Sequence, residues 1–161
     1  MATPDNFDLF PDGGSRSLGT PELVPEEELR RRLSTITYLD VEAGLQSLRG
    51  KITSYARLLA KYAVVHAHDV ARLREQLTLG NLAEARRLAH SLKGASGTVG
   101  ARDVEQSAQA LEAALKAALD ADRSEAAVLD ELLKELELAW SSLTRSLVEV
   151  LGRDFPAAPQ R

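Results

Sequence analysis

The chain has 161 residues, 44% of them apolar, which is enough for one domain with a sizeable core. It contains no cysteine, so a disulfide framework, a thiolate metal site and a cysteine nucleophile are excluded. A formal net charge of −4 disfavours nonspecific nucleic-acid binding, and no apolar run approaches the roughly 18 residues that a membrane span needs. Lacking a basic segment followed by a hydrophobic one at its start, the chain is expected to work in the cytoplasm without membrane contact.

Apolar residues recur with a 3-then-4 spacing in four long segments, and no alternating strand pattern is found, so the fold class is all-α. Residues 1–20 are rich in Pro, Gly, Asp and Ser and have no periodic apolar face; they read as a disordered leader or linker. Residues 21–36 read as a short N-terminal helix or linker, with Pro25 and three glutamates in a first turn and an end near Leu33. A helical bundle is expected over 37–151. Within it Asp40 caps a short helix that runs to about Leu48 and is ended by Gly50.

One long helix is then expected from Ile52 to Leu77, with Ile52, Tyr55, Leu59, Tyr62, His66, Val70, Leu73 and Leu77 on one side. Gly80 ends it in a left-handed cap, and Asn81 with Glu84 forms a capping box for a second helix that ends at Gly100. A third runs from about Arg102 to Ala121 with Val104, Ala108, Leu111, Leu115 and Ala118 inward. The fourth runs from near Ser124 to Leu151 through Leu129, Leu132, Leu136, Ala139, Leu143, Leu147 and Val150, closed by Gly152. Residues 152–161 read as a disordered tail. Short connections favour antiparallel neighbours, so an antiparallel up-down four-helix bundle with one or two short extra N-terminal helices is expected, and a monomer, since every stripe can be buried within it.

The second helix carries the chemistry. At about 100° per residue, Lys93, Gly94 and Gly97 fall within about 60° of His90, as do Ala83, Arg86 and Arg87, while Ala85, Leu88, Leu92 and Val99 lie opposite. His90 therefore stands on a cationic face lined with small residues. Two helix-interior glycines cost roughly 2 kcal/mol relative to alanine, so that face is kept bare for some purpose other than stability. Neutral imidazole is a nucleophile near neutral pH, and phosphoryl transfer asks its acceptor mainly for access and a nearby cation. Lys93 could supply the charge, and Arg86, Arg87, Gly94 and Gly97 a surface on which a partner closes over the ring.

The run from His90 to Gly100 reads His-x-Leu-Lys-Gly-x-Ser-Gly-x-Val-Gly and resembles the histidine-containing phosphotransfer (HPt) domains of bacterial multistep two-component relays. Asp40 to Leu45, Gly50, Leu58 and Leu59 with Tyr62, and Leu73 before Gly80 and Asn81 extend the likeness over roughly residues 37 to 120. The resemblance implies that His90 accepts a phosphoryl group at Nε2 from a receiver-domain aspartate and passes it to another. It also implies receiver domains and a hybrid sensor histidine kinase as partners, no autonomous kinase activity, no cofactor of its own, and Mg²⁺ supplied by the receiver. Two alternatives are a docking module that is never phosphorylated and the dimerisation and phosphoacceptor domain of a histidine kinase. The second lacks support, because Ser91 and Ala95 stand where an acid and a proline are usual and no glycine-rich ATP-binding segment is present.

Four further residues carry expectations. His66 and His68 lie about 200° apart on a helix and cannot share a metal ion; His66 reads as a hydrogen-bonded core histidine and His68 as solvated. Glu112 falls where some relatives carry a glutamine near the imidazole. A carboxylate there would hold Nδ1 but repel a phosphoryl group, and its role stays open. Trp140 reads as a core or boundary residue.

Overall fold

A computed structural model describes residues 24–46, 48–121 and 125–152. The segment expected to be a leader (1–20), all of the expected tail (152–161) but Gly152, and Ser124 at the expected start of the last helix lie outside the described residues. Seven helices follow in order: α1 (Glu26–Leu33), α2 (Val41–Gln46), α3 (Ile52–Val65), α4 (Asp69–Thr78), α5 (Leu82–Val99), α6 (Arg102–Asp120) and α7 (Ala126–Leu151). Helix α5 packs between α4 and α6, α6 packs on α7, and α7 returns to α4, while α3 lies on α5 and α7. Among the described residues the only strand-like pairing is a single bridge, Leu39 to Ala101.

The helix expected from Ile52 to Leu77 is two helices. The break falls at His66, Ala67 and His68, where no glycine or proline marks it in the sequence. Asp69 opens α4, where a carboxylate meets the positive end of the helix, and its Oδ2 lies 2.6 Å from His66 Nδ1. The bond spans the break, from the C-cap residue of α3 to the first residue of α4. The apolar stripe survives the interruption: Tyr62, Val70 and Leu73 are all buried. His66 is thus hydrogen-bonded and nearly enclosed, its ring 5.2 Å from that of Tyr62, and His68 is exposed.

The segment 21–36 is no linker where it is described. Leu33 and Ile36 are buried in the common core, each such side chain contributing on the order of 1.5–3 kcal/mol, and α1 packs on α3 and α7. Asp40 does cap α2, its Oδ1 accepting the Ala43 amide at 2.9 Å. The expected Asn81–Glu84 capping box is not formed. Asn81 turns its amide to Gln76 Oε1 (3.0 Å), and Glu84 pairs with Arg87. In α6 the five inward residues are those expected, whereas α7 buries Leu133 and Trp140 beside the expected Leu129, Leu136, Leu143 and Leu147, and Leu132, Ala139 and Val150 only in part. A helix flanked on several sides presents a wider apolar face than a single stripe.

Helices α4 and α5 end alike, in left-handed glycines. Gly80 and Gly100 both have φ +73°, and the amides of Asn81 and Ala101 reach back to Gln76 O and Ser96 O at 2.9 Å. Only Gly100 is also crowded. The chain before α2 runs beside it, Asp40 N–H donating to Gly100 O at 2.8 Å and Arg102 N–H to Tyr38 O at 3.1 Å, and a Cβ on Gly100 would stand 2.2 Å from Asp40 O. Gly80 has nothing within 4 Å of that position. Gly80→Ala should therefore cost only the left-handed backbone penalty of about 1–2 kcal/mol, and Gly100→Ala clearly more, in urea denaturation followed by circular dichroism. Equal losses would show that the approach of Asp40 is readily relieved.

Candidate functional site

His90 sits near the middle of α5, whose other face is fixed by burial of Ala85, Leu88, Ala89, Leu92, Ser96 and Val99. Two phenols from α3 tie that face down. Tyr55 Oη donates to Val99 O at 2.7 Å. Ser96 Oγ donates its only proton to Leu92 O at 2.6 Å, so in its 2.7 Å contact with Tyr62 the tyrosine is the donor. Burial pushes both phenols well above their ordinary pKa, which keeps them protonated donors. Trp140 of α7 closes against Tyr62 with ring centroids 5.4 Å apart.

On the outer face the imidazole is 68% exposed. Glu112 reaches it from α6: Oε1 lies 2.9 Å from His90 Nδ1, and Oε2 accepts from Lys93 Nζ at 2.6 Å. The Lys93 hydrogen bond, and then that of His90, hold the Glu112 carboxyl below its ordinary value of 4.5 against an opposing effect of burial. An ionised carboxylate can only accept, so Nδ1 carries the proton of this bond and the lone pair of a neutral ring resides on Nε2. Glu112 thus selects the tautomer and holds the ring plane. The nitrogen left without an intramolecular partner is the one a group can be attached to.

The other expected residues are distributed around this centre. A shallow depression is lined by Ala83, Arg86, Arg87, His90, Glu112 and Leu119. Arg87 is mostly exposed and pairs with Glu84 one turn back. Arg86 is half-buried, its Nε enclosed and without a hydrogen-bond partner. Gly94 is exposed, and a Cβ there would meet nothing within 4 Å. Gly97 differs: it is half-buried, and a Cβ there would stand 2.8 Å from Glu105 Oε1, the free end of a flexible side chain on α6. The structure therefore gathers His90, Lys93, Arg86 and Arg87 around Glu112, leaves Gly94 beside them, and turns Gly97 to the next helix.

The contact the sequence left open is that of Glu112. Its position on α6 was legible, but the rotation of α6 against α5, which turns Glu112 to the ring, is fixed only by packing. Among the described residues no cluster of three or more His, Cys, Asp or Glu side chains could hold a metal ion, and no helix is long and apolar enough to cross a membrane.

A family model described as "Hpt domain" matches residues 57–139, half of the chain, and so takes in both His90 and Glu112. No curated protein and no solved structure was found to match.

The geometry makes a two-part expectation for Glu112→Gln. By ¹⁵N imidazole spectra at mildly alkaline pH, the parent His90 should be the Nδ1–H tautomer, and the variant, whose amide can donate as well as accept, a mixture. A carboxyl held below its ordinary pKa stabilises the fold above that ordinary value and ceases to as pH falls through the lowered one. Acidification below 4.5 should therefore cost the variant less stability than the parent. Identical tautomer populations and identical acid profiles would remove Glu112 from the site.

Proposed function

The chain belongs to the Hpt-domain family, whose members carry phosphoryl groups on histidine in two-component signalling and interact with receiver domains, and from that premise we propose that His90 is its phosphoacceptor, relaying the group between receiver aspartates. The observation that carries the proposal is the exposed ring whose Nδ1 is held by Glu112 and whose Nε2 has no hydrogen-bond partner among the described residues. In the forward step the Nε2 lone pair attacks the phosphorus of an aspartyl phosphate. The bond from phosphorus to the aspartyl oxygen breaks, and its electron pair returns to the carboxylate. The ring becomes a phosphoimidazolium that keeps its Nδ1 proton, and the new positive charge lies 2.9 Å from the Glu112 carboxylate. Transfer onward is the same step in reverse with a second aspartate.

This reading gives Glu112 a purpose despite its charge. It stabilises the cationic ring, and Lys93 at 2.6 Å offsets the carboxylate's repulsion of the incoming group. Receiver domains, one of them in a hybrid sensor histidine kinase, are the proposed partners, and Mg²⁺ belongs to the receiver's own acidic pocket. The chain is a carrier rather than a kinase. We take α3 with α4, α5, α6 and α7 as an antiparallel up-down four-helix bundle, whose α5 face around Gly94 is the surface a receiver covers, with Arg86 and Arg87 at its edge.

Incubation with a phosphorylated receiver and Mg²⁺ should give an acid-labile, alkali-stable label on the parent and none on His90→Gln. Absence of label with several receivers would leave only a docking role for the same face. Gly94→Leu separates stability from access. It replaces a helix-interior glycine in open space and should raise stability by about 0.5–1 kcal/mol while slowing phosphoryl exchange. Unchanged exchange in that variant would remove the steric argument.

A further inference from the structure

Three cations share the His90 face, and the structure places them in different states. Lys93 is the least exposed of those in ion pairs there, 29% accessible, and both its charge and a 2.6 Å hydrogen bond are directed at a carboxylate that is itself only 14% accessible. Turning Lys93 to another anion would strand Glu112 beside the ring with its charge uncompensated, the costly half of breaking an enclosed ion pair. Arg87 is 79% exposed and pairs with Glu84, a contact of little energetic weight that points one turn back along α5. Arg86 makes no hydrogen bond and no ion pair among the described residues. Its attraction to Asp120 is a minor one beside that of Lys116, which bonds the same carboxylate at 2.6 Å.

The charges around the ring lead to the same residue. Glu112 and Lys93 offset one another, so a phosphoryl group arriving at Nε2 finds no net positive charge from that pair. It brings roughly two negative charges. Arg86 lies one turn before His90 on the same face and lines the same depression, with neighbouring side chains at this spacing about 5–6 Å apart at Cβ. Its planar fork of donors suits phosphoryl oxygens, and it gives up no existing partner in turning to them.

Resting on the assignment of His90 as phosphoacceptor, we propose that Arg86, and not Lys93, is the cation that contacts the oxygens of the transferring phosphoryl group, with Lys93 a positioning residue that acts through Glu112. Arg86 forms and breaks no covalent bond. It stabilises charge on the group as it moves between the aspartyl oxygen and Nε2.

The test is phosphorylation of the whole chain by two donors, a phosphorylated receiver and the small molecule phosphoramidate, compared for the parent, Arg86→Ala, Arg86→Lys and Lys93→Ala. Thermal unfolding and Trp140 fluorescence establish that each variant is folded. Arg86→Ala should lose about ten- to a hundredfold in the limiting rate with both donors. Arg86→Lys should recover part of that loss, and should be the variant read if the alanine is poorly folded. Lys93→Ala combined with Glu112→Gln should lose no more than the larger of the two single losses, whereas Arg86→Ala should add to either. Loss with the receiver alone would place Arg86 against the receiver's carboxylates and overturn the proposal, as would full activity of Arg86→Ala with both. A parent that neither donor labels would overturn the relay itself, a result distinct from a labelled parent with an indifferent Arg86.

Discussion

The reversal of the chain at Gly100 is the constraint on which the site depends. Only Gly100 and Ala101 separate α5 from α6, so the two helices leave the corner side by side. His90 lies nine residues before the end of α5 and Glu112 ten after the start of α6, about 14 Å and 15 Å along the two axes. They therefore come level. The corner is held from outside by the strand-like segment at Tyr38 to Asp40, whose hydrogen bonds to Gly100 and Arg102 and whose Asp40–Arg102 ion pair fix where α6 begins. A shift of one residue in that start would rotate Glu112 about 100° away from the imidazole.

The two faces of α5 serve opposite ends. The inner one is packed and hydrogen-bonded through Tyr55, Tyr62 and Ser96, which leaves the helix no freedom to roll. The outer one carries Gly94 in open space, where the proposed function needs access to the ring. An exposed reactive ring is useful only if its orientation is determined, and here that determination comes from neighbours on rigid helices rather than from a loop.

Electrostatics at the site are arranged in pairs. In the proposed relay a carboxylate beside the phosphoryl acceptor would be a liability alone, but Glu112 pairs with Lys93 and would stabilise the ring once it becomes cationic. The pairing also leaves Lys93 little freedom for a second anion. The α4–α7 side of the molecule shows a contrasting use of charge, with Arg74 bridging to Asp130 and Glu137 at exposed positions that bind helices together weakly.

Much of this was present in the sequence because it is local. The 3-then-4 spacing gave the helices, the inward residues of α6, and the face on which His90, Lys93 and Gly94 stand, and the glycines at 80 and 100 marked both helix ends. The motif around His90 sufficed for the family. The break at His66 to His68 was invisible because no breaker residue marks it and the apolar stripe does not lapse across it. The capping box failed because Gln76 and Arg87 compete for Asn81 and Glu84. That Glu105 of α6 reaches the Gly97 position was not legible, because a single helix does not reveal its neighbours. Periodicity fixes what each helix turns inward; the rotation of one helix against another depends on packing between residues far apart in the chain, and that rotation brought Glu112 to Nδ1 and Lys93 to Glu112, and left Arg86 without a hydrogen bond or ion pair among the described residues.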